Sequence, residues 1–118
     1  MATIKSYTDL EQSKKLAEIL PLESADMYYT PPLIKGHTDY IPHLKRKLPI
    51  DWGIEQAIPC WSLAALLNVL PPIHHLKPIL DLEENSIQYS GIDIYVKADN
   101  PVDACYEVIL KLHELNLL

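Results

Sequence analysis

The first helical pattern of apolar and polar positions lies close to the start of the chain. Thr8 and Glu11 have the spacing of a capping box, in which two side chains bond each other's backbone N–H groups at a helix start. Apolar residues then recur on one side as far as Leu20, and Pro21 ends the run. The pattern predicts an amphipathic helix over residues 9–20.

A second, almost wholly apolar stretch covers residues 59–70. Pro59 suits the first turn of a helix, and Pro71 cannot continue one. A helix that is apolar on nearly all sides is normally buried. We therefore expect a helix from Pro59 to Leu70 in the centre of the core.

The last third of the chain predicts three strands followed by a helix. Residues 79–82, 87–89 and 92–96 are short apolar alternations separated by turn residues, which is typical of an antiparallel meander. Asn100 followed by Pro101 is a helix start, and the polar and apolar stripes that follow predict a helix over residues 101–115. We expect an α+β fold in which about three helices pack on a small antiparallel meander sheet in two layers, as a single domain over residues 1–118.

The segment 31–59 carries five of the ten prolines. Proline lacks a backbone donor and disfavours helix at the residue before it. Residues 26–29 and 38–41 have the composition of short strands, but most of the segment is predicted to be irregular. Long irregular segments in small domains often carry function, so this is the first place to expect a partner site.

Composition favours a globular protein of a reducing compartment. The 118 residues are 48% hydrophobic and 22% charged, which is enough apolar material for one core. The start of the chain lacks the apolar region of a signal peptide, and no apolar stretch is long enough to cross a membrane. Two cysteines indicate no disulfide framework. We expect a cytoplasmic location and no membrane association.

Charge is unevenly distributed along the chain. The formal net charge is −6, of which residues 61–118 contribute −5, from three basic and eight acidic residues. An acidic half argues against a phosphate-binding surface there. The basic cluster Lys45–Arg46–Lys47 is the one run of positive charge, and three adjacent charges are more often a solvated turn than a binding site.

Aromatic residues are dense around the proline-rich segment. Tyr and Trp dominate interaction hot spots, but a small domain also uses them to complete its core. Both interpretations stay open. The candidate binding residues are Tyr28, Tyr29, Tyr40, Trp52, Lys45, Arg46 and Lys47.

Residues capable of catalysis or metal binding are present without a recognisable motif. Cys60 would lie in the first turn of the predicted second helix, where the helix dipole lowers a thiol pKa, yet its neighbours are large and apolar and predict a structural role. His74 and His75 in an extended segment would point opposite ways, and no zinc-ligand spacing recurs. Asp81 and Glu83 would share a face of a strand at the edge of a turn, with solvated charge the simpler interpretation. We expect no metal and no cofactor.

Two stretches carry a resemblance to known sequences. They are PCWSLAALL at residues 59–67 and NPVDAC at residues 100–105, the second extended by residues 111–115. Together they resemble uncharacterised short proteins of gut Bacteroidales and of their phages and mobile elements. The resemblance covers about a third of the chain and implies an accessory role in a cytoplasmic, mobile-element setting, with no catalytic residue to carry over.

These observations favour a small non-enzymatic interaction or accessory protein that binds a protein partner or associates with itself. The apolar stretch Leu115–Leu118 supports the self-associating variant. One alternative is a regulator that binds nucleic acid through Lys45–Lys47, with Tyr40 and Trp52 as stacking partners, or that mimics nucleic acid with its acidic half. Another is a small enzyme that uses Cys60 or a carboxylate pair.

Overall fold

The structure is a computed structural model that describes residues 5–31, 40–44 and 57–118. These described residues form three α-helices and two three-stranded antiparallel sheets, which confirms the predicted α+β class. The chain divides into two compact units: Tyr7–Ala65, and Leu66–Leu118 together with the N-terminal residues up to Ser6. A single domain over residues 1–118 stays a prediction.

The first unit contains a helix, a short 3-10 turn and a sheet. Helix α1 covers Leu10–Ala17 and the 3-10 turn covers Leu22–Ser24. The strands are β1 (Met27–Thr30), β2 (Ile41–Leu44) and β3 (Ile58–Cys60), in the order β2-β1-β3. Met27, Tyr29 and Cys60 form a buried cluster, against which Tyr7, Leu10, Tyr40 and Ile58 pack.

The start of α1 corrects the predicted capping box by one residue. Asp9 is the N-cap: its Oδ1 accepts the Gln12 N–H at 2.8 Å, and Gln12 Oε1 accepts the Asp9 N–H at 3.1 Å. Thr8 is instead fully buried. The helix ends at Ala17, earlier than the predicted Leu20, although Leu20 is still buried.

Two strands lie in the segment predicted to be irregular. β2 carries Pro42 and β3 carries Pro59, and both strands are at the edges of their sheet. Proline is tolerated in an edge strand where its missing N–H would point away from the sheet. Composition alone therefore understated the regular structure between residues 31 and 59.

The chain passes from the first unit to the second within helix α2, Leu63–Val69. The prediction that this helix starts at Pro59 is wrong, because residues 58–60 pair with β1. The expectation of burial on all sides is also wrong: Leu66 is fully buried, but Leu67 is 36% exposed and Ala64 and Asn68 are exposed.

The second unit follows the predicted meander and helix. Its strands are β4 (Ile79–Asp81), β5 (Ser86–Tyr89) and β6 (Ile94–Lys97), in the order β4-β5-β6, and helix α3 covers Pro101–Glu114. The six buried residues of α3 are Val102, Ala104, Cys105, Val108, Ile109 and Leu112. They form the apolar face that packs over β5 and β6.

Both ends of α3 have well-defined caps. Asn100 Oδ1 accepts the Asp103 N–H at 2.8 Å, and Pro101 occupies the first turn, as predicted. At the other end Asn116 has a φ of 57°, and the N–H groups of Asn116 and Leu117 reach the carbonyls of His113 and Leu112. This pattern of bonds is a Schellman motif with asparagine in the left-handed position.

Candidate functional site

The meander sheet of the second unit has one buried and one exposed face. Ile87, Tyr89 and Ile94 point to the buried face, towards α3. The opposite face, called the outer face below, carries Ile79, Gln88 and Tyr95, which lie directly opposite one another across the three strands. Successive side chains of a strand alternate between faces, so the register of the strands places these three in one row.

The outer face is more apolar than the solvated side of a sheet normally is. On this face Ile79 is 57% exposed and Tyr95 is 54% exposed; Leu82, in the turn that follows β4, is 65% exposed. Antiparallel sheets with one solvated face usually place polar residues there. Exposed apolar side chains gathered in one place indicate a binding surface more often than scattered ones do.

Four acidic residues and one lysine, Lys97, lie beside this row. Asp81 ends β4, Glu83 and Glu84 follow in the turn, and Asp93 precedes β6; all four are exposed. The Tyr95 hydroxyl donates to Glu84 Oε2 at 3.3 Å. A sheet face with an exposed apolar side chain at each end of the row and carboxylates beside it suits a partner with apolar and basic groups.

The predicted carboxylate pair has a structural explanation. Asp81 Oδ1 accepts the backbone N–H groups of Glu83 and Glu84, at 2.9 and 3.2 Å, and so closes the turn between β4 and β5. Glu83 lies in that turn and not on the strand, so it does not share a strand face with Asp81. The geometry favours solvated, turn-forming carboxylates.

Cys60 lies in β3 and not in a helical turn, so the predicted effect of a helix dipole on its thiol is wrong. Its side chain is fully buried, and burial raises the pKa of the thiol. Thr8 contacts the thiol through two groups: Thr8 Oγ1 lies 3.6 Å from Cys60 Sγ, and the thiol donates to the Thr8 carbonyl at 3.4 Å. A buried protonated thiol of this kind is a poor nucleophile.

Cys105 is the second free thiol of the chain, and it lies on the buried face of α3. Burial raises its pKa to about 12. Tyr89 faces the same core, with its pKa also raised to about 12 by burial and by the nearby Cys105. These groups stay protonated at physiological pH, which is the behaviour of core residues.

One polar pair in the first unit has no signal in the sequence. Ser62 donates to Asp26 Oδ2 at 2.5 Å, its backbone N–H donates to Asp26 Oδ1 at 2.9 Å, and its hydroxyl accepts the Ala65 N–H at 3.2 Å. Ser62 is thus the N-cap of α2, and Asp26 orients it. The residues are 36 positions apart, so only the fold brings them together.

His74 and His75 form a tight turn, which corrects the predicted extended segment. Their φ angles are 52° and 66°, and the flanking Ile73 and Leu76 exchange backbone hydrogen bonds of 2.9 and 3.0 Å. Positive φ at both central residues is the geometry of a type I′ turn. Within residues 5–31, 40–44 and 57–118, no three His, Cys, Asp or Glu side chains are grouped to hold a metal ion.

The candidate aromatic residues do not form one surface. Tyr29 is buried and its hydroxyl donates to the Thr8 carbonyl at 2.7 Å, so its ring belongs to the core, as does the half-buried Tyr40 that packs there. Tyr28 points to the other face of β1, opposite His43 of β2. Trp52 and the basic cluster Lys45, Arg46 and Lys47 lie outside the described residues.

Comparison with known proteins assigns the chain to no family. No protein-family model, curated protein or solved structure matches the chain. Among the described residues, no helix has both the length and the apolar character needed to cross a membrane. Functional argument therefore rests on the surfaces of the two units.

Proposed function

We propose that this chain is a small, non-enzymatic interaction protein that binds a protein partner through the outer face of its second unit. The observation that carries the proposal is the row of Ile79, Gln88 and Tyr95, in which two large apolar side chains are more than half exposed on a sheet face. Tyrosine is among the residues that contribute most to protein interfaces. A partner with apolar and basic groups is complementary to the two apolar side chains of this row and to the four carboxylates beside it.

The chemistry of the thiols supports a binding role over catalysis. Cys60 and Cys105 are both fully buried, with pKa values raised by burial. A nucleophilic cysteine needs the opposite environment, which is accessible and lowers the thiol pKa. Two free thiols are consistent with a reducing cytoplasm, and the resemblance of residues 59–67 and 100–105 supports an accessory role in a phage or mobile element.

The proposal is tested by affinity capture from lysate of the native host with the wild type, Ile79→Ser and Leu22→Ser. Leu22 is 54% exposed in the first unit, so Leu22→Ser is a matched loss of exposed apolar surface away from the outer face. The expected result is a stoichiometric protein that the wild type and Leu22→Ser retain and Ile79→Ser loses. Equal capture by all three variants would contradict the proposal.

The same capture experiment distinguishes a protein partner from the alternative of nucleic-acid binding. Each sample is divided, and one half is treated with nuclease and washed in raised salt, which weakens phosphate contacts steeply. A partner that binds the outer face survives nuclease. Loss of every captured protein on nuclease treatment would favour a nucleic-acid-binding role and overturn the proposal.

A further inference from the structure

Strand β6 is the last strand of its sheet. Its only neighbour in the order β4-β5-β6 is β5, and no other strand within the described part of the chain pairs with its far side. An edge of this kind presents unpaired backbone donors and acceptors to another chain. Which groups it presents can be derived from the register.

The hydrogen-bonding pattern of β5 and β6 shows which residues of β6 point outward. The Ala98 N–H donates to the Asn85 carbonyl at 3.1 Å, and these residues are opposite each other in the register that pairs Ile87 with Val96. Hydrogen-bonded pairs alternate with non-bonded ones in an antiparallel ladder. The backbone groups of Tyr95 and Lys97 therefore point away from β5.

The side chains along this edge are self-complementary. Tyr95 and Lys97 lie two apart in β6, Asp93 lies in the turn just before the strand, and all three are exposed. Aligning the strand antiparallel to a copy of itself, with Tyr95 opposite its own counterpart, brings Lys97 at the end of each strand to the turn of the other copy that carries Asp93. Opposite charges that come together across an antiparallel pair of strands stabilise it. Lys97 is one of only three basic residues in residues 61–118, so the match is not a consequence of abundant lysine.

We infer that the partner at this edge is a second copy of the chain, joined by antiparallel pairing of β6 with β6 around a two-fold axis at Tyr95. The two meanders then form one six-stranded sheet. Association of like edges about a two-fold axis is the usual way in which homodimers form. In this register Ile94 of one copy lies opposite Val96 of the other, so the apolar face of the sheet also continues across the axis.

The other strand edges are less suited to such pairing. Pro42 and Pro59 lie within the edge strands of the first sheet, and Pro78 immediately precedes edge strand β4. Proline at an edge is a recognised means of preventing pairing between chains. Residues 94–97 of β6 contain no proline.

This inference goes beyond the proposed function. Tyr95 takes part in both, so the two are separated by variants at Ile79. Ile79 lies in β4, the strand farthest from β6. Ile79→Ser should therefore lose the captured partner and keep the dimer. A monomeric wild type that still captures its partner through Ile79 would overturn only the dimer.

The test is the molar mass by light scattering of the purified full-length chain and of K97E, D93K and the double variant D93K/K97E. The wild type and the double variant should be dimers, and each single variant should raise the dimer dissociation constant about tenfold or more, because like charges then face each other twice per dimer. K77E is the matched control: Lys77 is exposed, the net charge changes equally, and the dimer should persist. All variants alter exposed side chains, and circular dichroism verifies folding.

Mixing the two single variants gives the sharpest result. D93K and K97E have complementary edges, so an equimolar mixture should recover the dimer mass that neither forms alone. A monomeric wild type at about 200 μM, which is ample for an interface of ordinary affinity, would overturn the inference. A dimer whose molar mass is unchanged in K97E and D93K would also overturn the inference, because another surface would then hold the dimer together.

Discussion

Asp26 orients Ser62 at the start of α2, so that the serine hydroxyl donates one hydrogen bond and accepts another. The carboxylate accepts the Ser62 hydroxyl and backbone N–H at 2.5 and 2.9 Å, which leaves the hydroxyl oxygen to accept the Ala65 N–H at 3.2 Å. An aspartate next to a serine suggests catalysis at first sight. Here the pair is fully explained by helix capping, because the hydroxyl serves the backbone of its own helix.

Removing this cap should cost stability. Ser62→Ala leaves the Ala65 N–H without its acceptor and should lower the free energy of unfolding by about 1 kcal/mol. The measurement is urea unfolding followed by circular dichroism. Ser6 is exposed, and Ser6→Ala should change stability by less than about 0.5 kcal/mol. Equal stability of Ser62→Ala and wild type would show that the cap is energetically unimportant.

The turn at His74 and His75 should be open to stabilisation. Both residues have positive φ angles, which side chains with a Cβ atom adopt at a cost. Replacing them with Asn and Gly, the sequence that type I′ turns prefer, should raise the free energy of unfolding by about 1 kcal/mol. His113 is exposed at the end of α3, and H113Q serves as the control for loss of a histidine. A destabilised Asn-Gly variant would contradict the assigned turn geometry.

Glycine and alanine at position 116 should have different effects on stability. The φ of 57° at Asn116 lies in the left-handed region, where glycine is unstrained and alanine is not. Asn116→Gly should match or exceed wild-type stability, while Asn116→Ala should lose about 1 kcal/mol. Thermal unfolding of the two variants side by side decides the point. The reverse order of stability would mean that α3 does not end in a Schellman motif.

Stability should fall in alkaline solution because of the buried thiol of Cys105. Its pKa is raised from 9.0 to about 12 in the folded protein, so the unfolded chain releases this proton first as the pH rises. The stabilising contribution is therefore complete below about pH 9 and is lost progressively towards pH 12. Unfolding free energies measured between pH 7 and 11 should fall less steeply for Cys105→Ala than for wild type.

Val108→Ala is the control for that comparison. Val108 is as fully buried in α3 as Cys105 but does not titrate, so its loss should lower stability at every pH without changing the slope. If Cys105→Ala and wild type have parallel pH profiles, the thiol is not the group that responds.

Neither cysteine should react with a thiol reagent while the chain is folded. Cys60 and Cys105 are both 0% exposed, so labelling requires opening of the structure. Labelling by an aromatic disulfide reagent at pH 7.5 should be slow in buffer and fast in urea, with both thiols counted. Rapid labelling of Cys60 in the folded protein would restore the hypothesis of a cysteine enzyme.

The sequence predicted the second unit far better than the first, for physical reasons. Residues 79–115 combine strict alternation, turn residues and an Asn-Pro helix start, so local preferences agree with the fold. In the first unit Pro42 and Pro59 make two edge strands hard to predict. Proline is compatible with a strand only at the edge of a sheet, and no local pattern indicates which strands will lie at an edge. Pro59 also imitates a helix start, because the apolar residues shortly after it do form α2.

The candidate surface needed the structure for a different reason. The row of Ile79, Gln88 and Tyr95 depends on the register of three strands, and a shift of one residue would move each side chain to the opposite face. Aromatic density pointed instead to Tyr29, which lies in the core. Whether Tyr28 contacts a partner stays a prediction.

The most direct test of the central claim is the affinity of the purified captured partner for wild type, Ile79→Ser and Tyr28→Ser, measured by titration calorimetry. Binding through the outer face predicts that Ile79→Ser weakens the affinity about tenfold or more, while Tyr28→Ser stays within about twofold of wild type. Loss of binding in Tyr28→Ser with unchanged affinity in Ile79→Ser would contradict the account and place the site on the first unit.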